Sequence, residues 1–470
     1  MEDMSKRLAL ALLGLAVVSA CAPQSAQQAP VVAPSPSVAP TPNATATVRP
    51  PNRSDDLLLI RAAQKLRLVS AKTGDQLREW PDGILVDEAK AVYVAVPLAG
   101  ATKVARIDLA TGQELRAITF DGHYVLRYLY DGPGGLSPNG RWLTLVDPNV
   151  CQQSFGSAPP PTPQPCVSRY TILDTALDRQ PRRVELQGNL WIEAISTDGR
   201  SLYLRENLPP QQPSDQHLRI YDLERRTLLA GDVPTAGGAP PTYTYGHTGP
   251  EVFSPDGKVR YTLYPFSGDV SAPMVLVLDL DGRSVRRITL PTWSFTPNEE
   301  ASAWTQLLSP DGATLYAVNG MIGAFIAIDT ATNTIRRATK LDSKAANEDG
   351  FVAALLRWFF PIAEAKRFIR GAAQLSPDGR TIYALADTGI VVVDAETFAL
   401  TRRLGAACPA RPCSRDELRF DGLALSGDGA RLYAVSDLFL KVAILDTTSG
   451  ASLGELRMAD YPVIVGIQQP

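Results

Sequence analysis

A turn of the form Ser-x-Asp/Asn-Gly recurs along the chain, and this repetition constrains the fold more than any other feature. It reads Ser137-Pro138-Asn139-Gly140, Ser196-Thr197-Asp198-Gly199, Ser254-Pro255-Asp256-Gly257, Ser309-Pro310-Asp311-Gly312, Ser376-Pro377-Asp378-Gly379 and Ser426-Gly427-Asp428-Gly429. Where proline occurs it takes the second position of a type I turn, with Asp or Asn third and Gly fourth. An apolar segment precedes each turn. A second follows with alternating side chains, as in Thr314-Leu315-Tyr316-Ala317-Val318. A third ends in aspartate, at Asp108, Asp174, Asp222, Asp279, Asp329, Asp394 and Asp446. A short polar turn then leads into a fourth, arginine-rich segment such as Ile335-Arg336-Arg337-Ala338-Thr339. Four antiparallel strands repeated radially make the blades of a β-propeller, so the expected fold class is all-β.

The stretch from Thr314 to Ala338, with Leu315-Tyr316-Ala317-Val318-Asn319 and Ile328-Asp329-Thr330-Ala331-Thr332-Asn333-Thr334, resembles a YVTN-type propeller repeat. The Ser-Pro-Asp-Gly turns are shared with that family and with WD40-like periplasmic propellers. The resemblance covers most of residues 56–467 and is strongest in the later repeats. It implies a propeller fold and an exported or cell-surface location. It implies no common catalytic residue.

The blades can be counted. Seven third segments end in Asp, and Ser70-Ala71-Lys72-Thr73-Gly74 makes an eighth turn of the same kind. Eight four-stranded blades are expected, with seven the alternative if the first strands merely extend an edge. The first unit, Leu57 to Trp80, lacks an innermost strand, whereas Tyr461 to Ile467 is an apolar strand without a unit. Pairing this last strand into the first blade removes two exposed edges and closes the ring.

The first 21 residues carry an address. Lys6 and Arg7 precede an apolar run from Leu8 to Val18, too short for a comfortable spanning helix and suited to a secretory signal. The run ends in Val18-Ser19-Ala20-Cys21, which resembles a bacterial lipobox. That resemblance implies a diacylated Cys21 as mature N-terminus and a membrane anchor, because multiple acyl chains hold stably. Ala22, not Asp, follows this Cys, so outer-membrane sorting is expected in a host with two membranes. Residues 22–54 hold eight prolines and no acidic residue. Such a segment has too little apolar surface to fold and reads as an extended tether, leaving 55–470 as one propeller domain.

Four cysteines remain, as two local pairs, Cys151 with Cys166 and Cys408 with Cys413. An even number in an exported chain argues for disulfides. Zinc and thiol redox chemistry fail on spacing, since no Cys-x-x-Cys is present and no His flanks either pair.

Loop lengths are uneven. Turns between first and second, and between third and fourth strands, share one face and are uniformly short. Insertions at 148–168, 206–217 and 265–273 within blades, and at 232–250, 341–372 and 405–419 between blades, fall on the other face. Long loops on a rigid scaffold commonly bind. Near them lie Trp191, Glu193, Tyr243, Tyr245, His247 and Trp304, aromatic and polar groups suited to a protein, peptide or glycan partner, although large side chains also pack between blades. Phe351 to Arg370 has apolar residues at the spacing of an amphipathic helix broken near Pro361.

The net charge of −3 without a Lys/Arg block argues against a nucleic-acid surface, and three His in 470 residues supply a His-built metal centre poorly. There is no Gly-x-Ser-x-Gly, His-Glu-x-x-His or P-loop motif. The function expected is an exported, lipid-anchored binding or scaffolding propeller with no catalytic residue and no cofactor. The competing expectation is a propeller enzyme of lactonase type, for which Glu193, Glu251 and His247 are the only nucleus of metal ligands, or of quinoprotein type, for which only Trp80 stands at a docking position.

Overall fold

In this computed structural model the described residues are 55–468, apart from 64, 82, 87–89, 127–134, 149–165, 212–213, 237–250, 266–271, 294–302, 342–371, 387–388, 406–419 and 437–438. Among them are strands and turns and no helix. The strands form eight antiparallel sheets of four, the blades of an eight-bladed β-propeller. Blade 6 shows the pattern from inner to outer strand: Thr305–Leu308, Thr314–Asn319, Ala324–Asp329 and Thr334–Lys340.

Blade 1 is assembled from both ends of the domain. Leu57–Ala62, Lys65–Ser70 and Gln76–Pro81 form its second, third and outer strands, and Val463–Gln468 supplies the inner one. Leu58 stands opposite Ile467 and Ile60 opposite Ile464. Across the same closure the Tyr433 hydroxyl of blade 8 donates to Asp56 Oδ2 at 2.6 Å. The eight-blade count with C-terminal closure is what the chain adopts, and the seven-blade alternative is excluded.

Strand periodicity explains the core. Side chains alternate between sheet faces, so a blade with neighbours on both sides needs both faces apolar. In the third strand of blade 6, Ala324, Ile326 and Ile328 pack against blade 5, while Phe325 and Ala327 pack against blade 7. Every seam holds one such cluster, including the seam between blades 8 and 1, where Tyr433, Val442 and Ile444 meet Leu58 and Ile60. Each fully buried Leu, Ile or Val contributes ~1.5–3 kcal/mol relative to exposure.

The turns are built from their own side chains. Ser254 Oγ donates to Asp256 Oδ1 at 2.7 Å and accepts the Val259 N–H at 2.9 Å, and Ser309, Ser376 and Ser426 repeat the arrangement. Gly312 sits at φ +72°, and a Cβ there would lie 2.5 Å from Pro255 in the turn of the preceding blade. Glycine is therefore required by backbone conformation and by its neighbour. Each third-strand aspartate caps the turn that follows. Asp329 Oδ1 accepts the Thr332 N–H at 2.7 Å, and Asp446 Oδ1 that of Ser449 at 2.6 Å.

One insertion is smaller than expected. The second and third strands of blade 4 run to Leu208 and from Asp215, so half of 206–217 is ladder rather than loop. Asn207 and Gln216 face each other there, with Gln216 Nε2 donating to Asn207 Oδ1 at 2.9 Å.

Candidate functional site

The insertion-bearing face is the end where inner strands begin and second strands finish. Blade 4 opens there with Asn189–Ile195, which carries Trp191 and Glu193. A register shift between Ile192 and Ala194 leaves Glu193 outside the regular ladder. Its carboxylate meets the seam with blade 5, where Oε2 accepts from Arg260 Nη1 at 3.0 Å. Arg260 lies in the second strand of that blade, Val259–Tyr264, and its Nε donates to Glu251 Oε2 at 2.7 Å. Glu251 begins the inner strand Glu251–Phe253. Arg205 of blade 4 completes the group, with Nε 3.1 Å from Glu193 Oε1 and its guanidinium 5.4 Å from the Trp191 ring centroid.

These four charged side chains are 2–9% exposed. Two carboxylates and two guanidiniums cancel, which is what permits their burial, since each isolated ion would cost several kcal/mol to desolvate. Burial alone would lower the Arg260 pKa, but Glu251 and Glu193 outweigh it and hold the guanidinium cationic. Burial raises the Tyr264 hydroxyl well above its ordinary value, so it stays a neutral phenol.

A polar row continues across blade 4 at the same end. Asn207 Nδ2 donates to Asn189 Oδ1 at 3.1 Å, and Asn189 Nδ2 donates to the Pro210 carbonyl at 3.0 Å. Outward of it, the ring of His217 lies between Asp232 and Asp215, at 2.9 and 3.1 Å. The hydrogen bond that His217 donates to Asp232 raises the imidazole pKa, with burial acting against it.

The sequence-derived candidates separate on this framework. Glu193 is enclosed in the ion-pair group, and Trp191 is half-buried beside it. Trp304 is 2% exposed in the core cluster between blades 5 and 6, so its ring packs the seam instead of lining a surface. Tyr243, Tyr245, His247 and the segment 351–370 lie outside the described residues, as do Cys21, Cys151, Cys408 and Cys413. Cys166 is buried, its Sγ 3.7 Å from the Pro210 carbonyl oxygen. Arg205 and Arg260 were not singled out in the sequence, although both neutralise a residue that was.

The lactonase expectation needs Glu193 and Glu251 free for a cation. Arg260 stands between them and bonds to both, so a divalent ion would have to displace a buried guanidinium. Glu193 and Glu251, the described members of that nucleus, do not fit a metal. Among the described residues no group of three His, Cys, Asp or Glu is placed to hold one. Trp80 is buried in the seam between blades 1 and 2.

No protein-family model and no curated protein matches the sequence. Solved structures do resemble it. Apo AztD from Citrobacter koseri is 13% identical, with 88% of this chain and 96% of that chain covered and a TM-score of 0.47. The dihydro-heme d1 dehydrogenase NirN in complex with DHE is 15% identical over 92% of this chain and 79% of that chain, with a TM-score of 0.48. The periplasmic gluconolactonase PpgL of Pseudomonas aeruginosa is 18% identical over 80% and 98%, with a TM-score of 0.37. These are bacterial β-propeller proteins. At such identities the likeness is one of fold and transfers no activity.

Proposed function

We propose that this protein is an exported propeller, anchored through a lipidated Cys21 and an extended tether over residues 22–54, that binds a protein, peptide or glycan partner of the cell envelope with its insertion-bearing face. One observation carries the preference for binding over chemistry. The buried charged groups nearest that face, Glu193, Glu251, Arg205 and Arg260, are engaged with one another, which leaves them no role as acid, base or metal ligand. Pairing of Cys151 with Cys166 and of Cys408 with Cys413 belongs to the same reading and fits an oxidising compartment.

The test is capture by a tagged full-length chain, followed by Tyr245→Ala, His247→Ala and a shortened 351–360 segment. These should weaken capture, with a central hot spot costing ~2 kcal/mol or more, roughly thirtyfold in affinity. Lys258→Ala in a tight turn should leave it unchanged. A stoichiometric metal or quinone in the purified protein would overturn the reading. Cys21→Ser should abolish fatty-acid labelling and release the protein from membranes.

A further inference from the structure

We propose that a groove between blades 6 and 7, on the tight-turn face, binds a small organic anion that also carries a hydroxyl or amino group. This site is separate from the insertion-bearing face and does not depend on what binds there.

The argument starts from a row of residues that crosses each blade. A second-strand residue, the third-strand residue two before the terminal Asp, and an outer-strand residue stand side by side. In blade 7 the row is Tyr383, Val392 and Arg402, in blade 2 it is Tyr93, Arg106 and Arg116, and in blade 6 it is Tyr316, Ala327 and Arg337. At several seams the tyrosine or the arginine of this row fastens the next blade. The Tyr203 hydroxyl donates to the Leu280 carbonyl at 2.7 Å, and that of Tyr93 to Thr175. Arg78, in the row of blade 1, donates to the Leu109 carbonyl at 2.7 Å, and Arg402 to the carbonyls of Thr447 and Thr448.

Blade 6 keeps both donors and fastens neither. Among the described residues the Tyr316 hydroxyl and the Arg337 guanidinium have no hydrogen-bond partner. The reason lies in the middle of the row. Ala327 stands where blades 3, 4, 5 and 8 carry Ile172, Ile220, Val277 and Ile444. A side chain shortened to one methyl opens a groove of about 440 Å³, lined by Tyr316, Ala327, Arg336, Arg337, Arg380 and Glu396 among others. That volume suits a small ligand.

The chemistry of the walls selects the ligand. Arg336 is paired with Asp329, and the Asp394 carboxylate at the rim already accepts from Thr397. Arg337 is free to grip a carboxylate or phosphoryl group through two parallel N–H donors. Burial raises the Tyr316 pKa, so its hydroxyl remains a third donor. Glu396 on the opposite wall repels a bare anion and accepts from a hydroxyl or ammonium on the same molecule.

Calorimetric titration of the full chain at low ionic strength with malate, succinate and inorganic phosphate tests the site. Malate should bind more tightly than succinate, which lacks the hydroxyl. Arg337→Gln should weaken malate or phosphate about tenfold or more, and Tyr316→Phe several-fold, as charge-assisted and neutral hydrogen bonds differ. Ala327→Val should fill the groove and lower affinity without touching a charge. Arg116→Gln, at the same place in the row of blade 2, should change nothing. Melting curves confirm that each variant folds, and the exposed Arg337 keeps that variant decisive if Ala327→Val unfolds. The proposal is overturned if Arg337→Gln binds as the unaltered protein does. It is equally overturned if none of the three probes binds at about 10 mM, the scale of very weak complexes.

Discussion

The seam between blades 4 and 5 and the seam between blades 6 and 7 share strand number and turn chemistry, yet place their polar groups differently. At the first, Arg260 reaches from one blade to the Glu193 of its neighbour, and four charges are enclosed and paired with one another. At the second, Phe325, Val391 and Phe398 make an apolar contact, and the arginine and tyrosine of the cross-strand row face a groove. A propeller seam thus has two independent layers. The inner layer must be completed by the chain itself, because an unmatched ion there has no water. The layer under the tight turns adjoins solvent, and an open one is available to a ligand.

That contrast can be broken most severely at Arg260. Arg260→Met leaves Glu251 buried without its cation, and the loss should be about 3–5 kcal/mol, read as a lower urea midpoint at an unchanged slope. A midpoint within error of the original would show that the four charges are not energetically enclosed. A smaller loss is expected at the ring closure, where Tyr433→Phe removes one hydrogen bond to the buried Asp56, costing about 1–3 kcal/mol. At the other seam, Arg337→Met should change stability by no more than about 0.5 kcal/mol, as for other exposed positions. A loss comparable to that of Arg260→Met would mean that Arg337 fastens blade 7 after all.

Acid should not distinguish the two seams. Asp222, beside the first, and Asp329 and Asp394, beside the second, are held below the ordinary carboxylate value of about 3.9 by hydrogen bonds from their turns. A carboxylate with a depressed folded pKa adds stability that is complete above its unfolded value and disappears as pH falls through the folded one. Stability should therefore decline below about pH 4, and slightly less for Arg337→Met, because the Arg337 charge adds a small share to what holds Asp394 low. A decline larger for Arg337→Met than for the unaltered protein would contradict this sign.

What could be read in the sequence follows from the distance over which each feature is decided. Each tight turn is settled within six residues, by a Ser hydroxyl, an Asp carboxylate and a Gly at positive φ, so eight blades and their closure were legible. The ion group was half legible. Glu193 and Glu251 stood out beside aromatic residues, but Arg260 lies 67 positions from Glu193, and a buried arginine is rare enough that Val259-Arg260-Tyr261 reads as an ordinary alternating strand. The groove was not legible, because Ala327 means nothing until the register sets it between Tyr316 and Arg337. Composition misled at 206–217, where three prolines suggested a loop and the Asn207–Gln216 contact continues the ladder.

The closure of blade 1 also has a consequence for biosynthesis. Leu57–Ala62 is among the first strands of the domain to emerge from the ribosome, and its partner Val463–Gln468 among the last. At ~5–20 residues per second, on the order of twenty to eighty seconds separate them. Throughout that interval the strand holding Leu58 and Ile60 has an open edge, which invites pairing with other chains. A cell producing this protein must keep that edge covered, or keep the whole chain unfolded, until the final strand is available.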